Sequence, residues 1–486
     1  MARRKRNRNN FLLNRAVIFL LVFLVVFLGI QFFTKTGLFF VPGVVHYDES
    51  LNEEELAALN QIFTDEITLS KDVTIRAEES ETLGEINDGE YLYQISVPVG
   101  DFYDEKSDIE EISEEEYEWI PVSELDFSKK LLSINGKYYL DDFKSGAKFR
   151  KIIFESEKFD EEIAPLVESE FKKTFPDEAS VLTFAQTGVT ALSRGMNQKL
   201  SEVSGDATFF SKKISDFLSG FDLTHTSNES SFSDSANSKN ICSDKRFINT
   251  LTSIGLDIVE LTGNHNQDCG NQSAIDTIDT YDSLGIQVVG GGKNSEEASR
   301  PLEINEKNTG ITFLAYNQST GGATHGDTPG ANQYYEENAV SEINSAKERG
   351  DFVIVDVQYY ECSAYVSKTE DATCDYANSS AGDQVGFFRH LIDLGADMVV
   401  GTSAHQPQTF ELYGDGVIYY GLGNLFFDQV WWPGTTRSLV LGHYFYNGKL
   451  LQTKIFPTAY DNDMKTGLLD KEEAEWFLNR LISVHP

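Results

Sequence analysis

The chain has 486 residues, which is enough for two or three domains with a sizeable hydrophobic core. It carries 77 acidic and 40 basic residues, for a formal net charge of -37 at pH 7. A surface this acidic repels polyanions. It therefore argues against nucleic acid as a partner and against unaided binding of other polyanions.

The N-terminus has the pattern of a membrane anchor. Residues 1–15 are rich in Arg and Lys, and residues 16–34 are almost uninterrupted Ile, Leu, Val and Phe. That length crosses a bilayer as a helix, and basic residues before it orient the N-terminus towards the cytoplasm. A cleaved signal peptide is the alternative, although its apolar region is usually shorter and no small-x-small cleavage site follows. We predict a basic cytoplasmic tail and a single-pass anchor in the cell membrane, with the bulk of the chain extracytoplasmic.

Residues 35–46 are predicted to be a linker, and residues 47–175 a small acidic membrane-proximal domain of α/β or α+β type. Strand-like runs such as 91–97 alternate there with amphipathic stretches near 51–63 and 158–174, which are typical of helices. No catalytic motif lies in this part of the chain. Spacer and docking roles are both open for it.

From about residue 178 the pattern changes to short apolar runs separated by longer helical stretches. Such alternation predicts βαβ-type units around buried β-sheets. The apolar runs are 181–185, 258–261, 286–289, 311–315, 352–357, 398–400 and 417–420. Residues 461–486 are predicted to be a C-terminal tail whose stretch 470–484 is an amphipathic helix.

The chain has four cysteines. In an oxidising, extracytoplasmic compartment they favour two disulfides. Cys362 and Cys374 would close a short polar loop, and Cys242 could reach Cys269. Metal binding by these cysteines is disfavoured because no Cys-x-x-Cys spacing occurs.

The segment from Val259 to Gly270 is the most informative motif. A strand-like apolar run stops at Gly263, and Asn264, His265 and Asp268 follow. Open α/β sheets place their chemistry just past the carboxyl ends of strands. The alternative is that the segment has only a structural role, as a polar turn that contains a hydrogen-bonded histidine. The segment resembles the Asn-His-x-x-Asp-x-Gly element of the CapA capsule-synthesis family, a branch of the calcineurin-like metallophosphoesterases.

Further blocks of that family follow in order between about residues 180 and 460. They include 222–229, 284–292, 298–301, 395–405 and 420–428. The resemblance implies that residues 178–460 form a CapA-like domain, a sandwich of two mixed β-sheets flanked by helices, with its site on loops at one sheet edge. It also implies a role in making, anchoring or exporting a capsule or poly-γ-glutamate type of polymer.

Several metal-ligand positions of the family are substituted. The family's Asp, Asn, His and His correspond here to Val189, Ser227, Gln358 and Ser403. Two neighbouring divalent ions need carboxylate and imidazole ligands, which these side chains do not supply. The resemblance therefore predicts no full two-metal centre and at most one divalent metal ion. Its candidate ligands are Asn264, His265 and His405.

The polar residues that remain form a candidate site, which the resemblance brings together on loops. They could hold one ion, or support acid–base chemistry without a metal. Alternatively they are the remnant of a lost site. The catalytic candidates are His265, His405, Glu229, Asp268 and Glu361. The binding candidates are His225, Ser227, Asn264, Gln358, Ser403 and Asn424.

Three functions are consistent with these observations. The first is a non-catalytic protein that binds or assembles an anionic or peptide-like surface polymer. The second is a hydrolase or transferase acting on a polymer or phosphoester. The third is a surface spacer, which fits the acidic charge but does not require the polar residues of the candidate site.

Overall fold

The computed structural model describes residues 43–64, 67–318, 321–359, 384–431 and 433–484. The predicted tail, anchor segment 16–34 and most of the linker lie outside these residues. Within them, no helix is both long enough and apolar enough to span a bilayer. Two compact units are present. The described part of the first comprises residues 43–64, 67–95 and 148–174, and the second comprises residues 96–147 and those from Phe175 onwards.

The strands are β1 (Val45–Tyr47), β2 (Val73–Ser80), β3 (Glu90–Asp101), β4 (Glu118–Pro121), β5 (Lys129–Leu131), β6 (Lys148–Glu155), β7 (Leu182–Thr190), β8 (Leu223–Asn228), β9 (Ile258–Glu260), β10 (Gln287–Val289), β11 (Gly291–Gly292), β12 (Leu302–Glu306), β13 (Thr309–Asn317), β14 (Gly330–Ala331), β15 (Phe352–Gln358), β16 (Met398–Gly401), β17 (Phe410–Tyr413), β18 (Gly416–Tyr419), β19 (Asn424–Phe426), β20 (Arg437–Tyr446), β21 (Lys449–Tyr460) and β22 (Thr466–Leu468). The α-helices are α1 (Glu53–Ile62), α2 (Tyr139–Asp142), α3 (Ala164–Phe171), α4 (Gly195–Glu202), α5 (Ser215–Leu218), α6 (Ile248–Ser253), α7 (Asn271–Ser283), α8 (Ser295–Ala298), α9 (Glu336–Arg349), α10 (Gln384–Asp393) and α11 (Lys471–Ile482).

The first unit is a small sheet that packs against helices. Strands β1, β2 and β6 and residues 90–95 of β3 lie in that order. Helix α1 begins with a capping box, in which Asn52 and Glu55 each accept a backbone N–H bond from the other, at 2.9 and 2.8 Å. Leu59 of α1 and Phe171 of α3 are buried in one hydrophobic cluster. The helices predicted near 51–63 and 158–174 are therefore present.

Residues 96–147 belong to the second unit, whereas the sequence predicted one acidic domain over 47–175. Residues 96–101 of β3 pair antiparallel with β4 and β5. Leu131 N donates to Gln452 Oε1 at 2.6 Å, and Leu412 N donates to the Tyr103 hydroxyl at 2.9 Å. These contacts join residues far apart in sequence, which is why composition alone could not place the segment.

Two mixed sheets dominate the second unit. The first has the order β10-β9-β8-β7-β20-β21-β22, with β19 beside β7, and β7 to β10 run parallel. The second has the order β12-β13-β15-β16-β18-β17, with β13, β15, β16 and β18 parallel. Parallel strands are normally covered on both faces, which explains the continuous apolar runs in their sequences.

The two sheets share one hydrophobic core. Phe184 and Leu441 of the first sheet and Phe313 and Ile354 of the second lie in the same buried cluster. Helices α4 to α7 cover the outer face of the first sheet, and α9 and α10 cover that of the second. The predicted mixed α/β architecture, with several mixed sheets and flanking helices, is therefore confirmed.

Polar side chains also lie within the core between the sheets. Gln186, His225, Glu260 and Asp356 are all fully buried. Gln186 Nε2 donates to Asp356 Oδ1 at 2.7 Å. His225 Nε2 lies 3.1 Å from Asp356 Oδ2, close enough for an ion pair but outside hydrogen-bonding geometry. Burial, reinforced by Asp356, raises the pKa of Glu260. Polar groups from both sheets thus meet in the core.

Another buried polar residue, His443 of β20, should make the fold sensitive to acid. Burial, and secondarily the neighbouring His225, lowers the pKa of His443 from 6.5 to about 3. The unfolded chain therefore takes up a proton near pH 6.5, but the folded chain does so only near pH 3. Stability present above pH 6.5 is lost as the pH falls between these values, by up to about 1.4 kcal/mol per pH unit. Chemical unfolding at several pH values should show a shallower acid slope for His443→Phe, and an unchanged slope would contradict this assignment.

Candidate functional site

The site lies where parallel strands of both sheets end. Val189 of β7 pairs in register with Ser227 of β8, and Ser227 pairs with Glu260 of β9. In the second sheet the ends of β15 and β16 are neighbours. Gln358 of β15 donates to the Oδ1 atom of Asn264, which follows β9, at 3.3 Å. The carboxyl ends of strands from the two sheets therefore meet here, the kind of position where open α/β sheets place their chemistry.

The side chains at the family's metal positions do not fit a two-ion centre. Val189 is fully buried in a small apolar cluster with Ala191 and Phe427. Gln358 and Ser403 are neutral and almost fully buried. In the described part of the chain, no group of three or more His, Cys, Asp or Glu side chains is placed to hold a metal ion. Because carboxylates and imidazoles are replaced, the charge of two divalent ions would remain unbalanced.

We therefore expect the purified chain to contain fewer than two transition-metal ions per molecule. The cause is the set of neutral side chains at Val189, Gln358 and Ser403, which cannot supply the missing ligand charge. Elemental analysis after mild purification measures this directly. The single variant Val189→Asp is the matched control, and it should not reach two ions because the other two positions stay neutral. About two Mn, Fe or Zn per wild-type chain would contradict the prediction.

His265 and Asp268 form a partly exposed pair. His265 Nδ1 lies 2.7 Å from Asp268 Oδ2, and the two side chains are 31% and 42% exposed. The carboxylate accepts the Nδ1 proton, which leaves Nε2 as the nitrogen able to accept a proton. The structure thus brings two of the predicted catalytic candidates into contact. Its arrangement suits either proton transfer or hydrogen bonding to a ligand.

His405 is oriented by Asn424. Asn424 Nδ2 donates to Gln429 Oε1 at 3.2 Å and to Thr435 O at 2.9 Å. Its Oδ1 therefore faces His405 Nδ1, which lies 2.8 Å away and donates to it. The His405 ring also packs on Phe427, with ring centroids 5.2 Å apart. This network fixes which nitrogen of His405 carries the proton.

The other predicted residues have different surroundings. Glu229 is buried beneath the loop that follows β9, where a Cβ atom at Gly263 would come within 2.8 Å of the Glu229 Cα atom. His225, predicted as a binding residue, instead lies in the core between the sheets, so that prediction is corrected. It is three residues before the end of β8, and its side chain points towards the second sheet. Glu361 lies outside the described residues, as do Cys362 and Cys374.

Arg194 and Asp428 were not predicted as site residues. Arg194 Nε and Nη2 donate to Asp428 Oδ1 at 3.1 and 2.5 Å, and Gly195 N donates to Asp428 Oδ2 at 2.9 Å. Arg194 has a φ of +50°, a costly value for a residue with a side chain. Its guanidinium lies 4.5 Å from the centroid of the Phe427 ring, which also contacts His405. The only sequence signal was that Asp428 ends a family block.

A disulfide links the two loops that carry Glu229 and His265. Cys242, after β8, is bonded to Cys269, after β9. This bond was one of the two that the sequence favoured. It places a covalent connection directly beside Asp268.

Removing this disulfide in the double variant Cys242→Ser, Cys269→Ser should lower stability by roughly 2–4 kcal/mol, because the unfolded chain regains loop entropy. Thermal unfolding measures the change. A reducing agent should lower the melting temperature of the wild-type chain but shift the double variant much less. Equal melting temperatures for the oxidised wild type and the variant would contradict a stabilising role.

The fold and the site together define a class: a mixed α/β protein in which two mixed sheets carry polar side chains at the carboxyl ends of their parallel strands. The sequence profile of the family described as bacterial capsule synthesis protein PGA_cap matches residues 183–429, about half of the chain. The chain belongs to this family.

Curated relatives support the family assignment. The capsule biosynthesis protein CapA of Bacillus anthracis is 25% identical over 232 residues, covering 46% of this chain and 53% of that protein. The PGA biosynthesis protein CapA of Bacillus subtilis is 25% identical over 285 residues, covering 57% and 70%. The probable polyglutamine synthesis accessory protein MT0602 of Mycobacterium tuberculosis is 27% identical over 251 residues, covering 48% and 62%. The chain thus spans about half the length of the Bacillus anthracis relative.

Proposed function

We propose that this chain is a membrane-anchored, exported accessory protein in the production of a capsule or poly-γ-glutamate type of polymer, and that it acts without a two-metal centre. The observation that carries the proposal is the buried, neutral set Val189, Gln358 and Ser403 in a chain of the capsule-synthesis family. The described roles of the Bacillus and Mycobacterium relatives support the same process. Residues 16–34 would supply the anchor.

The candidate site lies at the edge where the carboxyl ends of the parallel strands meet, which we call the carboxyl edge. This edge offers suitable groups for such a polymer. His265 and His405 supply imidazole nitrogens, and the partly exposed amide of Asn264 complements amide groups in the polymer backbone. Arg194 adds a guanidinium that is 26% exposed, although Asp428 already balances its charge. Neutral and weakly basic groups suit a ligand that is both anionic and peptide-like. They do not provide the strong positive field that would capture it from a distance.

The chain's net charge of -37 makes ionic strength a diagnostic variable. Long-range repulsion between an acidic protein and an acidic polymer weakens as salt screens it, whereas close hydrogen bonds persist. Binding of the full chain in detergent solution to purified poly-γ-glutamate should therefore strengthen as salt rises from low to physiological concentration. Cells lacking the protein should also carry less surface polymer. Absence of binding at all salt concentrations, together with normal polymer levels in such cells, would reject the proposal.

The contact between His265 and Asp268 favours a second candidate, a hydrolase or transferase acting on a polymer or phosphoester. An oriented, partly exposed imidazole can act as a general base without a metal. In that case the wild-type chain should cleave the polymer or a generic phosphodiester, and Asp268→Asn should reduce the rate by roughly 10²–10⁴-fold. No turnover by the wild-type chain, with or without added Mn²⁺ or Mg²⁺, would leave the accessory function as the better account.

A further inference from the structure

A second cavity lies away from the carboxyl edge, within the second unit. Its volume is about 360 Å³, a size that suits a small organic ligand. One wall comes from residues 102–141, and another from β21 and α11. Most of its lining lies outside residues 183–429, the part that matches the family. The cavity is therefore a feature of this chain that the family match does not explain.

Among the residues that the structure describes, the ammonium group of Lys130 in this cavity has no ion-pair partner. Lys130 Nζ donates to the backbone oxygens of Asp104 and Lys106, and within the described residues it forms no ion pair. Burial lowers the pKa of Lys130 to about 8, against the opposing charges of Asp104, Glu475 and Glu105. An ammonium has three N–H donors, so one donor remains for a ligand. A ligand carboxylate would satisfy it.

The cavity also holds groups that need a donor or a positive charge. Asp104 forms no ion pair with a described residue, and its burial raises the pKa of its carboxyl group. Asn479 Oδ1 is buried and accepts no hydrogen bond from the described residues. A ligand ammonium and a ligand N–H would complement these two acceptors. A buried oxygen such as Asn479 Oδ1 is costly when it accepts no hydrogen bond.

The rest of the lining is largely apolar. Phe102 and Phe410 meet edge to face with ring centroids 5.6 Å apart, and Leu478 and Ile482 of α11 lie beside the same space. Lys454, the other lysine of the lining, is already paired with Asp141 at 2.5 Å. A ligand here must therefore present an apolar group as well as separate positive and negative ends.

We propose that this cavity binds a small zwitterion with an apolar side group, which is the chemistry of an apolar amino acid or of a short apolar peptide with free ends. Its carboxylate would meet Lys130, its ammonium would meet Asp104, and its side group would lie against Phe102 and Leu478. A simple carboxylate fits less well because Asp104, Glu105 and Glu475, which also line the cavity, would repel it. A simple amine would leave Lys130 unpaired. This proposal is independent of the polymer site.

The test is calorimetry of the full chain in detergent solution with four probes. L-leucine and leucyl-leucine carry both charges, whereas N-acetylleucine lacks the positive charge and leucinamide lacks the negative one. At least one zwitterion should bind, and both analogues should bind at least about tenfold more weakly because each loses one charged hydrogen bond. Binding of L-leucine would identify a free amino acid as the ligand. Binding of leucyl-leucine alone would identify a peptide.

Four variants, one of them a control, make the test specific. Lys130→Met and Asp104→Asn should each weaken zwitterion binding by about tenfold. Lys129→Met is the matched control, because Lys129 is 45% exposed and paired with Glu118 at 2.8 Å. Leu478 lies on a half-buried face of α11 and lines the cavity, so the larger side chain of Leu478→Trp should fill the cavity and prevent binding. This variant tests the proposal even if the charge variants are unstable. Equal binding of N-acetylleucine or leucinamide, no heat from either zwitterion, or full binding by Leu478→Trp would overturn the proposal.

Discussion

Asp356→Ala should lower the free energy of unfolding by about 3–5 kcal/mol, the usual cost of removing one partner from a buried, charged contact. Asp356 is fully buried on β15, where it accepts a hydrogen bond from Gln186 and approaches His225. Without the Asp356 carboxylate, the amide of Gln186 and the imidazole of His225, both from the other sheet, would lose their partner in a low-dielectric core. The substitution would also leave a cavity between the two sheets.

Denaturant unfolding measures this loss of stability. Two further variants serve as comparisons, one conservative and one at an exposed position. Asp356→Asn keeps the shape and can still accept from Gln186, so it should cost much less than alanine. It should also move the pKa of Glu260 back towards its ordinary value, because Asp356 contributes to raising it. Asp415→Ala, at an exposed position between β17 and β18, should change stability by less than about 0.5 kcal/mol. A loss below about 1 kcal/mol in Asp356→Ala would show that the cross-sheet contact contributes little.

The same strand shows why part of the fold was predictable. In β15, Phe352 and Ile354 lie in the core between the sheets, while Val353, Val355 and Val357 face the helices. A strand buried on both faces must be apolar at almost every position, so its sequence is a continuous run. The apolar runs of β7, β13, β16 and β18 were recognised in the same way. Their pairing in two sheets came from the family resemblance instead.

Strand β8 shows what the sequence pattern could not reveal. Its residues Thr224 to Asn228 are all polar and all buried, so neither alternation nor an apolar run marks them as strand. His225 therefore looked like a loop residue near the site. Only tertiary packing shows that its side chain points into the core towards Asp356. A local pattern cannot identify a buried polar strand, because its partners come from another sheet.

The candidate site likewise contains one contact that could be predicted from the sequence and one that could not. The contact between His265 and Asp268 was predictable because three residues separate them in one loop. The hydrogen bond between His405 and Asn424 joins two family blocks, and its geometry depends on the loop that holds Gln429 and Thr435. Such bonds depend on tertiary packing and leave no spacing signature in the sequence.

The final prediction concerns the two histidines of the carboxyl edge. His265→Ala and His405→Ala should each weaken binding to poly-γ-glutamate by about tenfold, because each removes one hydrogen bond to the polymer. The double variant should lose about a hundredfold if the two contacts are independent. Both side chains lie on loops rather than in the core, so each single variant should keep most of its stability. Binding assays at physiological salt and thermal unfolding of the same samples measure the two effects.

His390→Ala is the matched control, because His390 is 43% exposed on α10 and pairs with Glu336 at 2.7 Å. It removes an imidazole and one carboxylate contact without touching the carboxyl edge, so its polymer binding should stay unchanged. His405→Gln separates hydrogen bonding from charge, since an amide can still donate to Asn424. Unchanged binding in the double variant would place the polymer surface elsewhere on the protein. Global unfolding of a single variant would mean that the histidine only holds the loops together, and would leave polymer binding to other groups at this edge.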